Sequence, residues 1–308
     1  QQTVGVLCDL SKAFDCVDHD ILAEKLNRHG IINNELQWFI SYLQNRQQRI
    51  IINKFQKNFK SNWNKAPYGV PQGSILGPCL FIIYVNDISC LTNMSTFQYA
   101  DDTAIICKEP KNSSLQITIT RELQSLEAWF AVNGLSMNVS KTQLIQFSPS
   151  NLCSDISVNF NSILISTKNS VDYLGIKIDS NLNWHSQIEN ISRRLVSATF
   201  VLQVIRDTTN IETQLMVYHA YFSSIMNYGL IVWGSSSHAK KVFILQKRAI
   251  RLLAKAPKLS HCKDFFIRFK ILTLYSSYIY QLATMVKSDF YTFIGTSRII
   301  VMTPDTKT

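Results

Sequence analysis

Three aspartates in this chain of 308 residues stand where carboxylates can do chemistry. Asp9 closes the apolar run Val4-Gly5-Val6-Leu7-Cys8, and Asp101-Asp102 interrupt a second apolar stretch from Phe97 to Lys108. Carboxylates gathered at strand ends suit Mg²⁺, which is usually held by a few carboxylates plus substrate phosphates and water. Two such ions about 3.5–4 Å apart activate the attacking oxygen and neutralise the leaving one in an in-line displacement at phosphorus. Attack of a 3′-hydroxyl on an α-phosphate is the reaction such a set would serve. An Asp-Asp dipeptide alone is ordinary turn chemistry. The upstream strand-end Asp9 and the apolar flanks turn the three into a candidate set. Zinc chemistry has little to draw on: six His and seven Cys are dispersed, with no CxxC pair and no zinc-like spacing.

Elements must then be found to position these groups. Thr3 to Leu10 is β-branched and apolar, a buried strand that delivers Asp9 at its end. Neighbouring strand residues face opposite ways, so Asp101 and Asp102 reach one site only if a tight turn joins two strands across 97–108. Helical spacing marks Asp20–His29 and Asn34–Asn45, and a hairpin is predicted over Arg49–Trp63 with its turn at Asn53-Lys54. The Pro/Gly cluster Pro67-Tyr68-Gly69-Val70-Pro71-Gln72-Gly73 precedes Ser74, which caps an apolar helix running to about Ile88. Leu115, Ile119, Leu123, Leu126, Trp129 and Phe130 mark an amphipathic helix stopped by Asn133-Gly134. Strands are predicted at Thr142–Phe147 and Tyr173–Ile178, and from Trp184 onward the pattern is helical. The order reads as α+β with a mostly antiparallel sheet, then an α domain, with the boundary near Ser180.

Composition narrows the partners. The hydrophobic fraction of 46% supports a packed core, and the net charge is +10. Between Ser186 and Tyr275 there are 13 Lys/Arg against 4 Asp/Glu, while the rest of the chain holds 18 against 17. Charge concentrated in one region is the footprint of a phosphate-backbone partner. Within it, Lys240, Lys247, Arg251, Lys255 and Lys258 share one face of a predicted helix from about Lys240 to Lys258. Leu245, Ala249, Leu252, Leu253 and Ala256 lie opposite. Most of the seven scattered cysteines sit in apolar stretches and read as small buried hydrophobes, which fits a reducing intracellular compartment. No stretch approaches the ~18 apolar residues that cross a bilayer, and the start is no signal peptide.

Five strings then follow one another in a telling order. They are Leu7-Cys8-Asp9-Leu10-Ser11-Lys12-Ala13-Phe14-Asp15, Gly69-Val70-Pro71-Gln72-Gly73-Ser74-Ile75-Leu76-Gly77-Pro78, and Tyr99-Ala100-Asp101-Asp102. Next come Asn133-Gly134-Leu135-Ser136-Met137-Asn138 with Lys141-Thr142, and Tyr173-Leu174-Gly175-Ile176. Together they resemble the reverse transcriptases of non-LTR retrotransposons of the arthropod, jockey-like type. His219-Ala220-Tyr221, Tyr228-Gly229 and Val232-Trp233-Gly234 resemble the helical region that follows the palm there.

The resemblance implies a right-hand polymerase: palm plus the remaining part of the fingers over 1–180, then a helical, basic thumb and C-terminal extension over 181–308. It implies RNA-directed DNA synthesis with two Mg²⁺ ions, or Mn²⁺ in their place, held by Asp9, Asp101, Asp102 and the Leu10 backbone carbonyl. Backbone amides around Lys12 and Ala13 would face the triphosphate. Phe14 would stack under the deoxyribose and exclude a 2′-hydroxyl, the group that distinguishes RNA precursors. Gln72 and Gly73 would lie against nucleotide and template, with Lys141 protonating the pyrophosphate. Tyr173, Leu174 and Gly175 would grip the primer end. The implied partners are an RNA template, a DNA primer or target and dNTPs, with no membrane, inside the cell at the nuclear site of integration. The family also carries a fingers segment before its first aspartate, an upstream endonuclease and a downstream Cys/His knuckle. A chain starting at that aspartate is expected to be a fragment that polymerises poorly alone. Two other readings stay open: an inactive nucleic-acid-binding remnant of such an element, and a metal hydrolase built on Asp101-Asp102, which lacks His or Glu partners.

Overall fold

A computed structural model describes residues 2–54, 57–92, 94–110, 115–148 and 156–296. The chain divides into two compact units, Gln1–Leu174 and Gly175–Thr308, a little ahead of Ser180.

The first unit begins with β1 (Gln2–Cys8), α1 (His19–Arg28) and α2 (Asn33–Leu43). Four short strands follow, β2 (Gln47–Gln48), β3 (Ile51–Lys54), β4 (Lys57–Lys60) and β5 (Asn64–Lys65). Then come α3 (Leu76–Val85), β6 (Ser95–Tyr99), β7 (Asp102–Glu109), α4 (Leu115–Val132), β8 (Gln143–Phe147), β9 (Ser157–Phe160), β10 (Ile163–Ser166) and β11 (Ser170–Tyr173). One antiparallel sheet, ordered β6-β7-β1-β8, carries the unit. Val4, Val6 and Cys8 alternate along β1 onto a core shared with Leu22 of α1, Phe81 of α3 and Leu123 of α4. Each such side chain contributes roughly 1.5–3 kcal/mol by leaving water. All six residues predicted for the buried stripe of α4 are buried. Ser74 caps as expected, its hydroxyl accepting the Gly77 N–H at 2.9 Å.

Several expectations need correction. Asn53 pairs with Asn58 and Lys54 with Lys57, so both belong to β3 and not to a turn; residues 55–56 lie outside the described residues. Tyr173–Ile178 is not one strand: Leu174 (φ 49°) and Gly175 (φ 73°) turn the chain there. The β9–β10 hairpin was not legible as strands. Cys8, Cys107 and Cys262 are buried, but Cys79 and Cys90 are exposed, and Cys153 lies outside the described residues.

The second unit holds β12 (Ile176–Asp179), α5 (His185–Ile205), α6 (Ile211–Val217), a π-helical turn at Tyr218–Ser223, α7 (Ser224–Asn227) and α8 (Leu230–Trp233). It continues with α9 (Lys240–Leu253), α10 (Lys263–Arg268) and α11 (Leu274–Thr296). Trp233, Tyr218 and Phe222 form its centre, fully buried. Burial pushes the Tyr218 phenol up to about 12. Gln246 is buried as well: its amide donates to Tyr218 Oη (3.2 Å) and Leu272 O (2.9 Å) and accepts the Leu274 N–H (2.8 Å). Among the described residues no helix is long and apolar enough to cross a membrane.

Candidate active site

Strand register brings the aspartates to one end of the sheet. Cys8 pairs with Thr103 at the last rung of β1 and β7, so Asp9 and Asp102 come next on adjacent strands. Tyr99 pairs with Asp102 across β6 and β7, leaving Ala100-Asp101 as a two-residue turn. Ala100 adopts a left-handed conformation (φ 53°), a strain of about 1–2 kcal/mol for a residue with a Cβ. The 136–138 segment braces Asp9 from the other side. Asn138 N–H donates to Asp9 O (2.8 Å) and Ser11 N–H to Ser136 O (2.9 Å), an arrangement that does not use the Leu10 carbonyl.

The electrostatics are those of crowded anions. Burial, then the charges of Asp101 and Asp9, raise the Asp102 carboxyl above its ordinary value. Burial and the charge of Asp102 push the Tyr173 phenol up. One Asp9 carboxylate oxygen, Oδ1, is shielded from solvent and has no hydrogen-bond partner. Lys141 Nζ stands 3.6 Å from that oxygen, an ion pair too long for a hydrogen bond. An orphaned carboxylate oxygen beside two more carboxylates fits a hard divalent cation. The set is not a closed cage, however. Among the described residues no three His, Cys, Asp or Glu side chains gather tightly enough to hold a metal ion. The three aspartates are electrostatic neighbours at this end of the sheet. Mg²⁺ sites commonly use one or two carboxylates and take further ligands from substrate phosphates.

Beside the carboxylates, two loops clamp together. Gly69 N–H donates to Val17 O (2.7 Å) and Val70 N–H to Phe14 O (2.9 Å). The Gln72 amide donates to Asp15 Oδ1 (2.9 Å). Lys12 is exposed and left-handed (φ 49°), Ala13 is buried, and the turn closes through Asp15 N–H on Lys12 O (2.9 Å). Phe14 is half-buried, its ring stacked on Phe81 at 4.4 Å between centroids. Gly73 (φ 82°) faces open space: a Cβ there would meet nothing within 4 Å. The left-handed backbone, not packing, is what favours glycine here.

Sequence reasoning missed the cations of this region. A cleft of about 680 Å³ is lined by Lys12, Asp15, Arg46, Lys65 and Gln72 among others. Arg46 Nη1 and His19 Nε2 both donate to Gly69 O at 2.9 Å. The signal was available: six Lys/Arg and no acidic residue lie between Arg46 and Lys65. Tyr84 was also missed. Its hydroxyl donates to Asn133 O (2.6 Å) and accepts Asp18 N–H (3.3 Å), tying the two segments that flank Asp9. Burial pushes that phenol up to about 12. Lys25 supports it, donating to Tyr84 O (2.6 Å) and lying 4.8 Å from the Trp129 ring centre.

In the second unit Gly175 lies against the Tyr228 ring, 3.6 Å from where its Cβ would be. The predicted basic helix is shorter than expected. α9 ends at Leu253, Lys255 is left-handed (φ 51°), and Lys258 lies in the following loop, so the five cations do not share one face. Pro257 blocks a continuing helix. The buried stripe is Val242, Gln246, Ala249, Ile250 and Leu253, while Leu245, Leu252 and Ala256 are only half-buried. Lys247 and Arg251 occupy a half-buried flank, with Lys247 Nζ 4.8 Å from the Phe243 ring centre and Arg251 Nε donating to Ser260 O (2.8 Å).

An antiparallel sheet ending in aspartates at a tight hairpin, with helices packed on it, is the layout of a polymerase palm. Residues 1–178 match the family described as reverse transcriptase (RNA-dependent DNA polymerase), and the chain belongs to that family. Among curated proteins, it is 27% identical over 279 residues to the RNA-directed DNA polymerase from mobile element jockey of Drosophila melanogaster, covering 86% of this chain and 30% of that protein. The probable RNA-directed DNA polymerase from transposon BS of the same fly is 25% identical over 273 residues, covering 82% and 29%. The chain thus spans less than a third of these relatives. Among solved structures, apo telomerase from Candida tropicalis aligns with a TM-score of 0.47 and 12% identity, over 90% of this chain and 46% of that one.

Proposed function

We propose that the chain is the polymerase core of a non-LTR retrotransposon reverse transcriptase, adding dNTPs to a DNA primer on an RNA template. The observation that carries this reading is the orphaned Asp9 oxygen beside Asp102, in a chain of the reverse transcriptase family. Asp9, Asp101 and Asp102 would hold divalent cations together with substrate phosphates, with the Leu10 carbonyl as a further ligand. Bound there, Mg²⁺ would activate the 3′-hydroxyl and offset charge on the leaving pyrophosphate. Phe14 limits room at the sugar, supported by Phe81 behind it. Gln72 and Gly73 meet the base pair on the open side of their loop, and the Lys12, Arg46 and Lys65 cleft supplies positive charge beside them. Lys141, which forms an ion pair with Asp9, would give a proton to the leaving group. Tyr173, Leu174 and Gly175 would steady the primer end. In this reading the first unit is palm with part of the fingers, the second is thumb and C-terminal extension, and the work is done at nuclear DNA.

The test is primer extension on an RNA template with Mg²⁺. Extension that disappears in Asp9→Asn and Asp102→Asn, with hybrid binding kept, supports the reading. Extension undiminished by both substitutions, or an unaltered chain that neither extends a primer nor binds an RNA–DNA hybrid, overturns it.

A further inference from the structure

The second unit contains a cleft of about 730 Å³ between the flank of α9, the loop before α10 and the segment leading into α11. Lys247, Arg251, Lys263 and Lys270 line it, and no carboxylate does. Three other cations of this unit are matched, Lys241 with Glu189, and Arg206 and Lys255 with Asp207, so what sets the cleft apart is that four cations converge on it without a carboxylate. The four cleft cations form no ion pair among the described residues. The cleft wall is apolar, with Phe266 buried and Ile267 and Leu272 exposed at 67% and 50%.

A second observation concerns Lys270. α10 ends in a Schellman cap, with Lys270 N–H donating to Ile267 O (3.1 Å) and Ile271 N–H to Phe266 O (3.0 Å). That cap needs a left-handed residue, usually glycine, and Lys270 holds it at φ 53°. Lysine stands where glycine would relax the backbone, and it lines the cleft.

We infer that this cleft binds single-stranded nucleic acid, apart from the carboxylate site. Unpaired cations call for phosphates. A duplex keeps its bases stacked inside and could offer only phosphates, so an apolar wall is of use only to an unstacked base. The volume falls in the range of small-ligand sites, about 300–1,000 Å³, and suits a nucleotide or two of a strand. The inference rests on the proposed function only in choosing nucleic acid over an acidic protein segment.

The experiment is a salt titration of the whole chain binding a short labelled oligouridylate, alongside an RNA–DNA hybrid. Lys263→Ala combined with Lys270→Gly should flatten the single-strand slope of log K against log salt by about 1.4, two phosphates at about 0.7 each. Lys270→Gly relieves backbone strain, so a thermal midpoint held or raised shows that the fold is intact. Ile267→Ser should weaken oligouridylate binding severalfold while leaving the slope alone. Arg194→Ala with Arg248→Ala removes equal charge outside the cleft and should flatten the slope less. Parallel slopes, equal flattening by both double variants, or an equal effect on the hybrid would overturn the proposal. So would a polyglutamate peptide that binds in a cleft-dependent way and displaces the oligouridylate, since it would point to a protein partner. The readout is binding, so it stands even if primer extension fails and the polymerase reading falls.

Discussion

Both units hold like charges close together, but with opposite signs and by different means. The first gathers Asp9, Asp101 and Asp102 at one sheet end, where burial and then the neighbouring charges raise Asp102, and an Asp9 oxygen is without a hydrogen-bond partner. The second distributes cations around a concavity and sets Lys255 and Lys270 at left-handed helix caps. Four helices end in the same Schellman hydrogen-bond pattern: α1 at Gly30, α4 at Gly134, α9 at Lys255 and α10 at Lys270. At these caps the first unit uses glycine and the second lysine, although the first unit also holds left-handed residues that carry a Cβ, Lys12 and Ala100 among them. Each arrangement leaves charge to be offset from outside the chain, negative in one case and positive in the other.

The largest effect should come from the anionic side. Replacing Asp9 or Asp102 with Asn should cut primer extension by about a thousandfold or more. Several kcal/mol of lost charge stabilisation convert at about 1.36 kcal/mol per decade. The same Asp102→Asn change should raise the thermal midpoint. The folded-state pKa of Asp102 lies above its unfolded value, so the folded form takes up its proton first as pH falls. Stability from this group is therefore highest below the unfolded value of 3.8, declines as pH rises through the folded value, and stays reduced at neutral pH. Asn removes that penalty. A lower midpoint for Asp102→Asn, measured by calorimetry at neutral pH, would mean that burial and crowding of this carboxylate are not what strains this end of the sheet.

Next in size is sugar selection. Phe14→Ala should raise ribonucleotide incorporation relative to deoxyribonucleotide by about 10–200-fold, the scale of a hydrophobic contact in a specificity pocket. Phe14 also stacks on Phe81, so some loss of stability should accompany it. Unchanged discrimination in steady-state assays would make Phe14 a core aromatic only.

Smaller still is the anchor behind the carboxylates. Tyr84→Phe leaves the Asn133 carbonyl and the Asp18 amide without their shared hydroxyl, which should cost about 1–3 kcal/mol in urea unfolding. A change well under that range would show that water or a shifted partner replaces the hydroxyl.

The finest test addresses the caps directly. Gly30→Ala and Gly134→Ala should destabilise, and Lys255→Gly and Lys270→Gly should stabilise, each by on the order of 1 kcal/mol. Lys255 also pairs with Asp207 at 3.8 Å, an exposed contact of small value, so Lys270→Gly is the cleaner of the two. Destabilisation by both lysine-to-glycine changes would erase the contrast between the units.

Local order decided much of this protein. The 3.6-residue apolar spacing of Leu115 to Phe130, Ser74 before an apolar run, and Asp9 and Asp101-Asp102 at apolar borders were legible because each depends only on near neighbours. The ordered strings around them were specific enough to carry the family resemblance. Tertiary packing decided what depends on distant partners. Gln246 reads as a surface residue until Tyr218 and Leu272 supply its hydrogen bonds, and that shifts the buried face of α9. Arg46 gains its place only when the Gly69 loop folds back against it. Cap geometry at Ala254–Ala256 took Lys255 and Lys258 off the expected face, while Lys263 and Lys270, never on that helix, completed the cleft with Lys247 and Arg251. Charge along a chain can be counted residue by residue. Which charges meet, and which stay unpaired, follows from contacts between segments that sequence spacing does not encode.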